Sequence, residues 1–456
     1  MPISVVILAA GQGKRMRSDL PKVLQPLAGK PLLAHVLDRA RELEPAAIHI
    51  VYGHGAGQVR EAFGAHSGIH WCLQAEQLGT GHAVQQAMPN IPDDHDVVVL
   101  CGDVPLAPTD ILRELAQTLA ARELVVLTAQ LEDPSGYGRI VRSRSGHVQR
   151  IVEEQDASET ERRITEINTG LIGAKAKALR RWLGSLGNAN TQGEYYLTDI
   201  VSLACGEGLE VAALKTEHAA SVLGINDKIQ LAAAERAYQR GQAENLMRQG
   251  VTLADPERID IRGALRVGRD VFIDVGVVFE GQVELGDGVH IGPNCVLTDT
   301  RLGAGCRVHA SVIATGVVAG ERCELGPFAR LRPGAELAAR VKVGNFVEIK
   351  NSTVAEGSKV NHLSYVGDAT VGSGVNVGAG AITCNYDGAG KHRTNIGDGA
   401  FIGSGVMLVA PIDVGPGATI GAGSTVSKMA PPNELTLARS RQTTVSGWRR
   451  PKKPAK

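Results

Sequence analysis

Aromatic side chains make up only 4% of the 456 residues, and the charges cancel, 48 Lys+Arg against 48 Asp+Glu. Zero formal net charge removes the broad electrostatic attraction that nucleic acids and anionic membrane surfaces call for. No apolar run approaches the roughly 20 residues of a spanning helix. The first apolar stretch, in MPISVVILAAGQGKR, has no basic cluster before it and reads as a first strand rather than a signal peptide. Cysteine is sparse and odd in number: the seven residues Cys72, Cys101, Cys205, Cys295, Cys306, Cys323 and Cys384 form no CxxC pair. That pattern argues against a zinc site and a disulfide framework, and predicts reduced core or surface thiols in a cytosolic protein.

Glycine, by contrast, is abundant. Of the 55 glycines, 24 lie in residues 1–262 and 30 in residues 263–426. The composition shifts near residue 262, so the two sides are expected to fold differently. In the second part, apolar residues recur in steps of six: Ile273, Phe279, Leu285, Ile291, Leu297; then Leu325, Leu331, Leu337, Val343, Ile349; then Ile396, Ile402, Leu408, Val414, Ile420, Val426. Glycine often follows directly, as in Ile402-Gly403 and Ile420-Gly421. This spacing fits neither a helix nor simple hairpins, but it is the hexapeptide signature of a parallel β-helix. Each unit supplies one flat face and one tight corner, with the branched residue pointing inward and the glycine suited to an unusual backbone or a close approach. The phase slips near 298–324 and 350–370, where short insertions are expected. A polar break, CNYDGAGKHRTN from Cys384 to Asn395, interrupts the ladder and is expected to be an ejected, functional loop.

In the first part, strand-like runs at Val5–Leu8, Ile48–Tyr52, Val97–Leu100 and Val125–Leu127 alternate with helical patterns. They predict a doubly wound, mostly parallel Rossmann-like α/β sheet, which binds ligands at the carboxyl ends of its strands. The first strand ends in Leu8-Ala9-Ala10-Gly11-Gln12-Gly13-Lys14-Arg15-Met16, followed by Pro21-Lys22. Gly11 and Gly13 let backbone N–H groups approach phosphate, and Arg15 and Lys22 supply charge. Met16 stands where a dinucleotide fingerprint needs its third glycine, and no GK[ST] is present. From Lys228 to about Gln249 the chain is rich in Ala, Leu, Gln and Arg, and Gly250 stops it. This predicts a linker helix, giving domains 1–227, 228–250 and 251–456.

The LAAGxGxRM stretch with its Pro-Lys, then Gln74-Ala75-Glu76-Gln77-Leu78-Gly79-Thr80-Gly81, then Gly102-Asp103-Val104-Pro105, resembles the nucleotide-sugar pyrophosphorylases. The resemblance implies that Gln74, Gly79 and Thr80 read the base, helped by backbone from Leu8, Ala9, Ala10 and Gly11. Arg15 and Lys22 meet the triphosphate. Cys101 and Gly102 reach the ribose side, with Cys101 standing where relatives often carry Tyr or Ser. Asp103 offers a strand-end carboxylate to Mg²⁺, with Asn226 as second ligand, although Asn226 also reads as a helix N-cap. Gly138, Glu153 and Asn168 match the sugar-binding half.

A pyrophosphorylase-like part, a linker helix and a hexapeptide β-helix carrying KVNHLSYVGD at 359–368 together resemble the bifunctional bacterial GlmU family over residues 1 to about 445. The resemblance implies left-handed coils, a homotrimer joined through the β-helices, a cytoplasmic bacterial setting, and synthesis of UDP-N-acetylglucosamine from glucosamine-1-phosphate, acetyl-CoA and UTP with Mg²⁺. An acetyl acceptor that is mostly ammonium at pH 7 needs a base, a task suited to histidine. His362 matches the family's base position, and Glu348 stands ready to orient or assist. Arg332 and Lys350 match the cations that grip the sugar phosphate, and Tyr365 and Asn376 its hydrogen-bonding partners. Asn385, Tyr386, Ala379, Ser404, Ala422 and Arg439 match contacts to acetyl-CoA, though Ala379 and Ala422 would also suit plain coil packing. Two other readings share the architecture: a hexose-phosphate nucleotidylyltransferase whose β-helix only oligomerises, and a non-enzymatic scaffold. The first makes His362, Tyr365, Asn385 and Tyr386 dispensable; the second has no need of Arg15, Lys22 and Asp103. The basic tail from Trp448 to Lys456 reads as a solvated end.

Overall fold

A computed structural model describes all residues except 65, 452 and 454–456. The chain divides into two compact units, Met1–Tyr238 and Gln239–Lys456. The division falls inside one helix, Lys228–Arg248. Its first turns pack Leu231, Ala234 and Tyr238 beside Met16, Leu27, Leu32 and Ile225 of the first unit. Its last turns bury Ala243 and Leu246 in the core of the second. The segment expected as a linker is thus shared between two cores. Within the tail, Trp448 is exposed, and residues 452 and 454–456 lie outside the described residues.

In the first unit, nine strands form one mixed sheet among the described residues. They are β1 (Ile3–Ala9), β2 (Ala47–Tyr52), β3 (Ile69–Leu73), β4 (Asp96–Cys101), β5 (Leu124–Gln130), β6 (Arg139–Arg142), β7 (Val148–Val152), β8 (Glu166–Lys175) and β9 (Ala212–Thr216). The main path runs β9-β5-β8-β4-β1-β2-β3. Neighbours along it are parallel except β8, which runs antiparallel to β4 and β5. β6 and β7 form a hairpin whose β6 pairs with β8. A separate apolar cluster covers each face of the sheet, which is why the central strands read as unbroken apolar runs instead of alternating ones. Chain order runs β1-β2-β3 on one side of β1 and passes to β4 on the other, which opens a crevice at the carboxyl ends of β1 and β4.

The second unit is a parallel β-helix. Successive coils pair in register, Phe279 with Leu297, Leu297 with Ala314, Ala314 with Leu331, and Leu331 with Ile349. All sixteen apolar residues of the three in-phase runs are buried in one core cluster. No coil can bury its inner face alone, so stacking is what turns this repeat into a core. The phase slips, expected to be insertions, are instead short coils: Leu297 to Ala314 and Ile349 to Val366 span 17 residues, where Phe279 to Leu297 spans 18. Trimming one residue from a corner keeps the inner faces aligned. The larger break is a true insertion, since Ile382 pairs with Met407, 25 residues on. Of the two roles open to the corner glycines, close approach is the one seen after an inward residue: a Cβ on Gly403 would lie 2.5 Å from the backbone nitrogen of Ala422 in the next coil.

Candidate functional site

In the first unit, the end of β1 and the following turn open onto a cavity of about 530 Å³. Its lining includes Leu8, Ala9, Ala10, Gly11, Lys22, Gln74, Gly79, Thr80, Cys101 and Asp103, all read from the sequence as nucleotide contacts. Gly102 lies beneath, its N–H donating to Leu8 O at 2.9 Å. The 74–81 loop is held by its own side chains. The Gln74 amide donates to Gly79 O at 3.1 Å, and the Thr80 hydroxyl accepts from Leu197 N at 3.0 Å. Gly79 has a φ of +106°, and a Cβ there would lie 2.6 Å from Tyr195 O, so only glycine fits. Burial, with the Asp103 carboxylate adding, pushes the Cys101 thiol up to about 12, which leaves it a neutral lining group at pH 7. Arg15, on the short turn Lys14–Met16, is exposed and outside the cavity lining, which takes Lys14 instead.

At the mouth, Lys22 Nζ contacts Asp103 Oδ2 and lies 3.1 Å from Asn226 Oδ1. The two oxygens thus face a single cation position. Asn226 is free for that task because the cap of Lys228–Arg248 is Asp227, whose Oδ1 accepts from Ile229 N and Gln230 N. An all-oxygen pair of this kind, completed by water and phosphate oxygens, fits a hard divalent ion.

The sugar-side candidates also come together. Asn168 N–H donates to Gly138 O at 2.8 Å, and the Asn168 side-chain oxygen accepts from Gly170 N. Gly170 sits at the irregularity in β8, and its carbonyl accepts from Cys101 Sγ at 3.6 Å. A Cβ on Gly138 would come within 3.2 Å of Glu153 Oε2. Glu153 lines a neighbouring cavity of about 350 Å³ and accepts from the Thr198 hydroxyl at 2.9 Å. Burial, with Asp199, Asp156 and Glu194 adding, raises its carboxyl above the usual range against the pull of that hydroxyl.

In the second unit, the candidates trace one register position through consecutive coils. Asn345 pairs with His362. The carbonyls of Asn345, His362, Ala379 and Ser404 each accept from the residue following the next member, at 2.8–3.1 Å. The column therefore reads Asn345, His362, Ala379, Ser404, Ala422, and Arg439 Nη1 closes it by donating to Ala422 O at 2.8 Å. His362 is exposed, and its Nδ1 lies 2.9 Å from Asn345 Oδ1. With the proton on Nδ1 donated to that oxygen, Nε2 keeps its lone pair for use as a base. On the adjoining face Glu348 pairs with Tyr365, and Lys350 with Gly367. The Glu348 carboxylate accepts from Arg332 Nη1 at 2.8 Å. Asn376 lies one coil on from Lys359. Asn385, at the start of the inserted loop, donates to the Tyr365 hydroxyl at 3.3 Å and to Asp368. The loop is folded upon itself: Asp387 accepts from Ala389 N, Gly390 N and His392 Nε2, while Tyr386 is exposed.

Comparison with known proteins agrees with both halves. A MobA-like NTP transferase domain matches residues 5–171, and the bacterial transferase hexapeptide model matches 265–299 and 393–428. Bifunctional protein GlmU of Alkalilimnicola ehrlichii is 57% identical over 449 residues, 98% of this chain and 96% of that protein. Those of Azoarcus sp. (57%, 99% of this chain and 100% of that protein) and Marinobacter nauticus (54%, 99% of both) match likewise. The chain belongs to the GlmU family. Its two units are accordingly a nucleotidyltransferase domain and a left-handed parallel β-helix.

In the two candidate sites of this GlmU-family chain, sequence reasoning passed over several residues. Lys14 and Glu194 line the nucleotide cavity. Asn345 stands one coil before His362, a spacing of 17 that the repeat itself carries. Asp368 is buried and clamps Asn351 and Asn385; these hydrogen bonds outweigh its burial and keep its carboxyl below the usual range. The repeat length was the signal for Asn345. Glu194 carried none, because a distant segment folds it into the site.

Proposed function

We propose that this chain makes UDP-N-acetylglucosamine in two steps at separate sites, acetylating glucosamine-1-phosphate and then transferring uridylyl from UTP to N-acetylglucosamine-1-phosphate. The observation that carries the reading is the column from Asn345 through His362 to Arg439, which a purely structural β-helix has no reason to keep. It favours two activities over the one-activity alternative.

In acetyl transfer, His362 Nε2 takes a proton from the sugar ammonium. The free amine attacks the thioester carbonyl, a C–N bond forms, the C–S bond breaks, and the coenzyme leaves as its thiol. Arg332 and Lys350 hold the sugar phosphate, with Tyr365 and Asn376 beside it. Glu348, engaged by Arg332, acts by positioning. Ala379, Ser404 and Ala422 present coil backbone to the pantetheine arm, Asn385 and Tyr386 cover it, and Arg439 meets the CoA phosphates.

In uridylyl transfer, the sugar phosphate oxygen attacks the α-phosphorus of UTP in line and pyrophosphate departs. Positioning and charge stabilisation do most of the work. The 74–81 loop holds the uracil, Lys22 and Arg15 the triphosphate, and Gly138, Glu153 and Asn168 the sugar. Asp103 and Asn226 would hold Mg²⁺, which supplies charge neutralisation to the phosphates when bound.

The assembly proposed is a homotrimer acting in the cytoplasm. Self-association is supported by an apolar ridge beside His362: Phe328 and Phe346 stack at 5.5 Å, and Leu363 follows one coil on, all three exposed and at positive φ. Bulky residues held outward in that conformation suit burial against another copy. The activity test omits one substrate at a time from glucosamine-1-phosphate, acetyl-CoA, UTP and Mg²⁺. Pyrophosphate release that requires prior release of CoA thiol supports the reading. Pyrophosphate formed from supplied N-acetylglucosamine-1-phosphate, with thiol never released, would reduce the β-helix to a scaffold.

A further inference from the structure

The cation position between Asp103 and Asn226 is taken by this chain's own ammonium. Lys22 Nζ reaches both oxygens, and the Lys22 and Asp103 side chains are only 14% and 18% exposed. The arrangement is rigid on the acceptor side. Ile225 N donates to Asp103 O at 2.9 Å, and Asn226 is tied down by Gly224 O and Gln230. On the donor side, Lys22 is a point charge on a flexible stem that begins a short turn, Lys22–Leu24. Its side chain also lines the cavity where a triphosphate would lie. An ammonium and a divalent ion cannot share the same two oxygens, because two cations a few ångströms apart repel strongly in a site so little exposed. Whatever enters between Asp103 and Asn226 must expel Lys22 toward the cavity its side chain lines, where a bound triphosphate would offer it negative charge.

We propose that Lys22 is a resident counter-cation of the metal site: it holds Asp103 and Asn226 together in the metal-free enzyme, gives way to the divalent ion, and passes to the nucleotide phosphates. The role rests on the assignment of Asp103 and Asn226 to the metal. Its consequence is cooperativity. Nucleotide that draws Lys22 away opens the metal position, and by linkage the metal that displaces Lys22 supplies the nucleotide with a cation. Lys22 is then a positioning residue for the metal as well as a phosphate contact.

The test uses the full chain without nucleotide, with Mn²⁺ as probe, its free concentration followed by electron paramagnetic resonance. Lys22→Met is expected to bind Mn²⁺ about tenfold more tightly than the wild type. Lys14→Met, which removes the same charge from the same cavity without touching Asp103, is expected to change it less than about threefold. In the wild type, Mn²⁺ is expected to raise labelling of Lys22 by an amine-reactive reagent severalfold while leaving Lys14 unchanged. This arm needs no variant to fold. Unaltered or weaker Mn²⁺ binding by Lys22→Met overturns the role, as do an equal gain in Lys14→Met or Lys22 labelling that ignores bound Mn²⁺. Asp103→Asn separates this failure from that of the metal assignment. If Mn²⁺ binding survives Asp103→Asn, the assignment itself falls; if it is lost there while Lys22→Met shows no gain, only the counter-cation role falls.

Discussion

The candidate nucleotide cavity of the first unit draws its lining from five separated stretches between Leu8 and Glu194, whereas the spine of the column proposed for acetyl transfer comes from one register position repeated over consecutive coils. The cavity is roofed by loops that brace one another, as when Gln74 holds Gly79 and Thr80 receives Leu197. The column is open, and its regularity comes from glycines that let one coil touch the next. Convergence of distant segments makes a site enclosed and hard to trace along the chain. Repetition makes one exposed and easy to trace, with enclosure left to another surface, here proposed to be a second copy meeting the Phe328–Phe346 ridge.

The sharpest way to break this comparison is to disable each site alone. His362→Ala is expected to lower thiol release by at least about 100-fold and to leave uridylyl transfer to supplied N-acetylglucosamine-1-phosphate within about twofold. Asp103→Ala is expected to do the reverse. Loss of both activities from either change, read in parallel thiol and pyrophosphate assays, would mean that the two sites are not independent.

Next in size is a packing effect confined to the column. Gly403→Ala forces a Cβ to within 2.5 Å of Ala422 N, against backbone that has nowhere to go. A loss of about 3 kcal/mol in the stability of the second unit is expected by chemical denaturation, together with acetyl transfer. An unchanged denaturation midpoint would show that the coils tolerate separation.

The first unit has its own liability in acid. His49 is fully buried, both ring nitrogens lack partners among the described residues, and it stacks on His70 at 4.9 Å. Burial, with His70 and His95 adding, lowers it to about 4. The unfolded chain takes up that proton near pH 6.5 and the folded chain only near pH 4, so between those values falling pH favours unfolding. About 2 kcal/mol should be lost from the first unit by pH 5, and His49→Leu should flatten the dependence in urea titrations at pH 7, 6 and 5. A wild-type profile without slope there would contradict it.

The smallest effect sharpens the role of the column's first member. Asn345→Ala removes the acceptor of His362 Nδ1–H, and a roughly tenfold fall in kcat for acetyl transfer is expected, with KM little changed. A change in KM alone would assign Asn345 to substrate binding instead.

What could be read along the chain, and what could not, follows from the same contrast. The hexapeptide step was visible because inward residues recur at a spacing no other element shares, and all sixteen of them are core residues. The coil lengths were misread as insertions, since a missing residue and an added one displace the same phase. Arg15 was read as a phosphate contact from a motif, and the fold adds its neighbour Lys14, to which the motif assigned no role, to the cavity lining. Asn226 was legible as a ligand or a cap, and only the fold gave the cap to Asp227.

By itself, the sequence determined the two architectures and the glycine-rich turn after the first strand, and it offered candidate residues for phosphate, metal and proton transfer, because these are local patterns or simple periods. The tertiary structure alone decided which of them meet: that Lys22 sits between Asp103 and Asn226, that Asn345 orients His362, and that Asp368 anchors the inserted loop through Asn385. These contacts join residues separated by 17 to more than 200 positions, and a pairing across such distances exists only once the sheet and the coils have closed.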